Sequence, residues 1–139
     1  MVTHHKTITF NTQGNCDLID ITNRVETIVK ESGMSSGICT VFCPGSTASV
    51  TTIEYEEGLL KDFPAALDRL IPEDMVYEHH LRWRDGNGHS HVRATILGSS
   101  LTIPFINGSL TLGTWQQIIF CDFDNRSRSR KAEIMLVGE

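Results

Sequence analysis

Polar and apolar side chains alternate from Lys6 through Thr7, Ile8, Thr9 and Phe10 to Asn11, the period of a strand with one face buried. Gln13-Gly14-Asn15 breaks that pattern. Ile21, Val25, Ile28 and Val29 then recur at helical spacing, with Asp20 or Thr22 as the N-terminal cap and Gly33 as the stop. A second strand is expected from Gly37 to Cys43 and a third from Ser49 to Glu54. The turn Pro44-Gly45-Ser46-Thr47 joins them, as a hairpin or a local crossover. Leu59, Leu60, Phe63, Leu67 and Leu70 form the next apolar stripe. Pro64 lies inside it and predicts a kink or two short helices. Glu56 and Glu57 precede the stripe, where negative charge favours a helix start.

Beyond Ile71-Pro72-Glu73-Asp74 the pattern is harder to assign. The run from His89 to Leu97 fits a strand, with Val92, Ala94 and Ile96 on one face. It also fits a helix, and the helix is favoured because Asn87 can cap it and Gly98 can end it. Ser100 to Ile106 reads as a strand with Pro104 at an edge or bulge, and Asn107-Gly108 is a hairpin turn. Leu112 to Cys121 reads as one long buried strand, and Lys131 to Val137 as the last. These elements predict a single α+β domain over residues 1–139, a mostly antiparallel sheet packed with helices in a compact two-layer arrangement. No internal repeat or linker interrupts it.

At 139 residues, with 40% hydrophobic and 21% charged residues, the chain has the composition of a globular domain able to bury a core. No run reaches the ~20 apolar residues of a bilayer span, and the N-terminal residues lack the apolar core of a signal peptide. A cytoplasmic protein with no membrane partner is expected. A net charge of −5 argues against a nucleic-acid partner. Cys16, Cys39, Cys43 and Cys121 show no paired zinc spacing, and Cys39 and Cys43 read as reduced, buried strand residues.

The stretch from Tyr77 to Gly98 carries four of the six histidines, His79, His80, His89 and His91. Asp85-Gly86-Asn87-Gly88 separates them into two pairs, and such a turn can fold both onto one site. Neutral imidazoles suit zinc or another transition metal, whereas magnesium prefers carboxylates, here Glu54, Asp62 and Asp85. Asn87 joins these acids as a polar candidate for the chemistry. Ser46 and Thr47 offer hydroxyls and backbone N–H groups to an anion. Arg126 and Arg128 can clamp a phosphate, although hairpin arginines more often face solvent. Trp115 reads as core or subunit interface, and Gln116, on the opposite face of a regular strand, reads as lining a cleft.

Taken together, Gly45-Ser46-Thr47-Ala48-Ser49 leading to Ile53-Glu54, Tyr77-Glu78-His79-His80 and Asp85-Gly86-Asn87-Gly88-His89-Ser90-His91 resemble the YjbQ-like family. Gly108, the run Leu112-Gly113-Thr114-Trp115-Gln116 and the pair Arg126 and Arg128 extend the resemblance to nearly the whole chain. That family is long uncharacterised and is sometimes labelled secondary thiamine-phosphate synthase. The resemblance implies an α+β fold, a homotrimer and a histidine-bearing site associated with metal binding. In some members it also implies a weak ability to make thiamine phosphate. The family's histidines fall on His79 and His91 and its acidic position on Glu54. Many members carry a histidine where this chain has Gly45, so the resemblance leaves His80 or His89 to complete a ligand set here, or a weaker site.

Three functions follow as expectations. One is a metal-binding thiamine-phosphate synthase that joins a pyrimidine-methyl diphosphate to a thiazole phosphate. Another is a hydrolase using a histidine-held metal. The third is a non-catalytic binding protein for an anionic metabolite.

Overall fold

The computed structural model describes residues 1–139. Its elements in chain order are β1 (Val2–Thr12), β2 (Asp17–Asp20), α1 (Thr22–Ser32), β3 (Ser36–Phe42), β4 (Ala48–Ile53), α2 (Leu59–Leu70), α3 (Glu78–Trp83), α4 (Gly88–Leu97), β5 (Ser100–Ile106), β6 (Ser109–Leu110), β7 (Gln117–Asp122) and β8 (Arg128–Gly138). The α+β class and the antiparallel pairing are as expected. The strands divide into two sheets, one of five in the order β1-β8-β3-β5-β6 and one of three in the order β2-β7-β4.

That division decides between the two readings of the Pro44–Thr47 turn, in favour of a crossover. β3 pairs with β5 and β8, while β4 pairs with β7, so the turn carries the chain from one sheet to the other and closes no hairpin. Ile8, Cys39, Val41, Ile103, Phe105, Ile134 and Leu136 from the larger sheet meet Val50, Ile118 and Phe120 from the smaller one. Val25, Ile28 and Val29 of α1 complete this core. Each such side chain contributes roughly 1.5–3 kcal/mol on burial. β7 is buried on both sides, because alternate residues point to opposite faces. Ile119 and Cys121 look away from the main core and, with Phe123, pack on Leu67 and Ile71 around α2 and on Ala94 of α4.

Local signals account for most boundaries. The Asp20 carboxylate accepts from the Thr22 N–H at 3.0 Å and its hydroxyl at 2.6 Å, and Gly33 ends α1 in the left-handed region. The Glu56 carboxylate accepts from the Gly58 and Leu59 N–H groups at the start of α2. α2 is one continuous helix through Pro64 rather than two pieces, so it lacks only the hydrogen bond that the proline nitrogen cannot donate. Asn107 and Gly108 both have positive φ, 52° and 73°, and turn β5 into β6 as expected.

The expected strand from Leu112 to Cys121 is half right. It begins only at Gln117; before it the chain makes a turn in which the Gln116 N–H bonds the Gly113 carbonyl and the Gly113 N–H bonds Gln116 Oε1. Gln116 therefore closes its own turn instead of lining a cleft, and Trp115 is 70% exposed, outside the core of the chain. All four cysteines are free, and burial pushes the Cys39 thiol up to about 12. No helix is long and apolar enough to cross a membrane.

Candidate functional site

The histidine-rich stretch folds as α3, a turn, and α4. Gly88 lets the two helices meet, since a Cβ there would sit 2.5 Å from Tyr77 Cβ. His89 and His91 stand two residues apart on α4, about 200° around its axis, and so face opposite ways. That phase sorts the four rings into two pairs.

His79 and His91 form one pair, with ring centroids 4.4 Å apart. His79 Nδ1 is buried without a hydrogen bond, and its nearest acid contact is Asp85 Oδ1 at 3.5 Å. His91 lies against the Ser46 backbone and borders a cavity of about 240 Å³ shared with Gly45, Ser46, Thr95, Gly98 and Ser99. Burial, and then the neighbouring His79, hold His91 below the usual histidine range.

His80 and His89 do a different job. The Gly88 N–H donates to His80 Nε2 at 3.2 Å, so that nitrogen serves the backbone. His89 is 2% exposed, and its Nε2 sits 3.3 Å from Ser90 Oγ. Its Nδ1 makes no well-formed hydrogen bond although the Gly86 backbone is close by, and burial first of all lowers its pKa. The four histidines therefore do not converge. Neither His80 nor His89 completes the other pair, and no three His, Cys, Asp or Glu side chains are grouped to hold a metal ion. The residues present do not fit the three-ligand zinc centre that the sequence suggested.

The acids also part company. Asp85 stays beside His79 and accepts from the Asn87 N–H, but Asp62 lines a separate apolar cavity of about 460 Å³ with Phe63, Arg69 and Leu97. Glu54 is exposed at the end of β4. A magnesium site built from these three carboxylates is not formed.

Beneath the His79–His91 pair lies a buried polar layer that the sequence reading missed. Asp124 Oδ2 accepts from Thr47 Oγ1 at 3.0 Å, Asn87 Nδ2 at 3.2 Å and Arg128 Nη2 at 2.9 Å. Burial alone would raise its pKa, but those donors hold it below the usual carboxylate range. Asp122 takes Nε and Nη2 of Arg130 at 2.7 and 2.9 Å, and Thr12 Oγ1 at 2.5 Å. Thr47 and Arg128, expected to meet a ligand, are thus committed to the layer, and Arg126 is exposed. Asn87 links the layer to α4, where Ser90 Oγ donates to its Oδ1 at 2.5 Å. The available signal was Asp122 and Asp124 at alternate positions, ending an apolar strand just before a run of arginines.

The fold, with its two sheets and four helices, recurs in known proteins. A profile of the UPF0047 protein YjbQ-like family matches residues 6–139. The chain belongs to the YjbQ-like family. It is 37% identical over 139 residues to a UPF0047 protein of Methanothermobacter thermautotrophicus, covering 100% of this chain and 95% of that one. To the UPF0047 protein YugU of Bacillus subtilis it is 36% identical, with 96% and 98% covered. The crystal structure of a YbjQ-like protein of unknown function from Sulfolobus solfataricus superposes with a TM-score of 0.90 at 31% identity, covering 99% of this chain and 100% of that one. An uncharacterised YjbQ/UPF0047 protein from Clostridium acetobutylicum gives 0.87 at 38% identity, with 95% and 99% covered. This YjbQ-like chain therefore shares fold and family with proteins whose names state no activity.

Proposed function

We propose that this YjbQ-like protein is an enzyme acting on a phosphorylated small molecule at the His79–His91 pair. The observation that carries the reading is the pairing itself: two imidazoles 4.4 Å apart, one of them on the wall of a small polar cavity. A ring held below the usual histidine range is neutral near pH 7, and so offers one N–H donor and one lone pair.

The candidate reaction is the one the family resemblance names. The thiazole nitrogen attacks the methylene carbon of the pyrimidine diphosphate, the C–O bond breaks, and pyrophosphate leaves with the bonding electrons. No proton is abstracted from the carbon framework, so the protein's task is to supply donors to the departing oxygens. The His91 ring and the hydroxyls of Ser46 and Ser99 are the groups that border the cavity, the Thr95 hydroxyl being donated to the His91 carbonyl at 2.8 Å. The neutral lone pair of His91 favours a second reading, in which the same ring takes a proton from water and the enzyme hydrolyses a phosphorylated metabolite.

Purified protein incubated with the two phosphorylated precursors is expected to form thiamine phosphate, and the His91→Ala variant to lose it. No product above a protein-free blank overturns the synthase reading, and a parallel panel of phosphate esters then decides for hydrolysis. The homotrimer that the resemblance implies fits the outward face of the five-stranded sheet, where Ile38, Phe42, Ile106 and Met135 are exposed. Sedimentation equilibrium at three times the chain mass supports it, and a monomer mass overturns it.

A further inference from the structure

Gly45 stands on the wall of the His91 cavity, and the space left by its missing side chain is not idle. A Cβ built on Gly45 would lie 3.1 Å from Nη1 of Arg130 and 3.9 Å from Cys43 Sγ. Of the three guanidinium nitrogens, Nε and Nη2 are spent on Asp122, and Nη2 also on Thr47 Oγ1 at 2.7 Å. Nη1 donates to nothing in the chain, and it is not among the buried unpaired atoms, so it keeps a surface open to solvent. Gly45 lies on the wall of the His91 cavity, next to Ser46. The cavity thus has a hydroxyl and an imidazole at its side, and behind Gly45 a cationic donor with two unused N–H bonds.

We propose that Gly45 opens an anion subsite in which Nη1 of Arg130 and the Ser46 hydroxyl bind a phosphoryl or carboxylate group of the ligand held at His91. Arg130 and Arg128 are balanced by Asp122 and Asp124 in the layer below. The subsite therefore works through directed, charge-assisted hydrogen bonds rather than net positive charge. Its affinity for a free anion is accordingly modest, and its main effect is to orient an anionic group tethered to the rest of the ligand. This assignment deepens the reading of the His79–His91 pair as a site for phosphorylated molecules and rests on it. It moves the anion contact from Arg126 and Arg128 to Arg130.

The test is titration of the full-length protein with inorganic phosphate, pyrophosphate and acetate. The readouts are the backbone amide signals of Gly45 and Ser46 and the side-chain signals of Arg130 in nuclear magnetic resonance spectra. Saturable shifts at those three residues are expected, and comparison of acetate with the phosphates tells a carboxylate site from a phosphoryl one. Gly45→Val places methyl groups over Nη1 and is expected to weaken binding about tenfold or more. Gly45→Ala gives a smaller loss and carries the test if the valine variant misfolds. Arg126→Ala is expected to leave binding within about twofold, as for an exposed residue outside the subsite.

Phosphate affinity unchanged in a folded Gly45 variant, or shifts centred on Arg126, overturns the subsite. Thiamine phosphate formation is scored on the same samples. Glycine-dependent phosphate binding without product keeps the subsite and overturns only the synthase reading. Product formation with phosphate binding indifferent to position 45 overturns the subsite alone.

Discussion

His91 borders a cavity and pairs with His79, which has Asp85 beside it, whereas from the same two helices His80 gives its Nε2 to the Gly88 N–H and His89 is buried. All four are imidazoles within a stretch of thirteen residues, and nothing in their identity separates them. The separation comes from helical phase: neighbours two apart on α4 look in opposite directions. His91 is left facing a cavity, whereas His80 gives one nitrogen to the backbone and His89 is lost to burial. A histidine count therefore overstates a site unless the rotation of the helix that carries it is known.

The largest effect on this arrangement is expected from Asp124→Ala. Asp124 gathers Thr47, Asn87 and Arg128, and through Asn87 it fixes the start of α4, which carries one member of each pair. Removing the carboxylate leaves a half-buried guanidinium without its partner. Loss of a buried ion-pair partner costs about 3–5 kcal/mol, to be read as a shift in the urea unfolding midpoint. Asp124→Asn keeps the shape and some of the hydrogen bonds and should lose less. A change within error for the alanine variant would show that the two pairs do not depend on this layer.

A contrast within α4 comes next. His91→Ala is expected to lower turnover by about two orders of magnitude or more while leaving thermal stability nearly unchanged, because the ring is partly exposed on a cavity wall. His89→Ala is expected to do the reverse. It empties a buried volume at a cost of about 2–3 kcal/mol, with activity per folded molecule retained. Matching phenotypes for the two variants would erase the distinction on which the site assignment stands.

The outlines of the fold were legible because they rest on short-range signals: the α1 stripe with Gly33, the Asn107-Gly108 turn, and Asn87 and Gly98 at the ends of α4. What could not be read depended on long-range pairing. Whether β3 and β4 share a sheet is decided by β5, β7 and β8, far along the chain. Trp115 lies in a run that looks like the start of a buried strand, but the two bonds between Gly113 and Gln116 close a turn there instead. The chemistry followed the same division. The histidine stretch announced itself, while Asp122, Asp124 and Arg130 became visible only once β7, β8 and the Ser46–Thr47 turn were brought together.

His91 and His89 are both held below the usual histidine range, but different measurements report it. His91 is held below the ordinary histidine value of ~6.5, so its neutral, active form persists to lower pH and the acid limb of kcat/KM should lie below that value. His79→Ala removes the neighbouring ring that depresses His91 and is expected to move the limb upward, part of the way back. His89 contributes to stability instead. Its folded pKa is depressed, so as pH falls below ~6.5 the unfolded chain takes up the proton first and stability drops. His89→Ala should flatten that part of the stability-versus-pH curve.

Asp85→Asn gives the smallest effect and the finest discrimination. Asp85 is half-exposed, 3.5 Å from His79 Nδ1, and its Oδ1 also accepts from the Asn87 N–H at 3.1 Å. An exposed ion pair of this kind is worth about 0.2–1 kcal/mol, so stability should change by less than 1 kcal/mol and turnover by about fivefold or less. The direction matters more than the size. The Asp85 charge favours the protonated form of His91, so its removal should move the acid limb of kcat/KM downward, opposite to His79→Ala. An asparagine that leaves the limb in place while turnover falls would mean that Asp85 acts through the turn it braces, by way of Asn87, and not through the charge it presents to the paired rings.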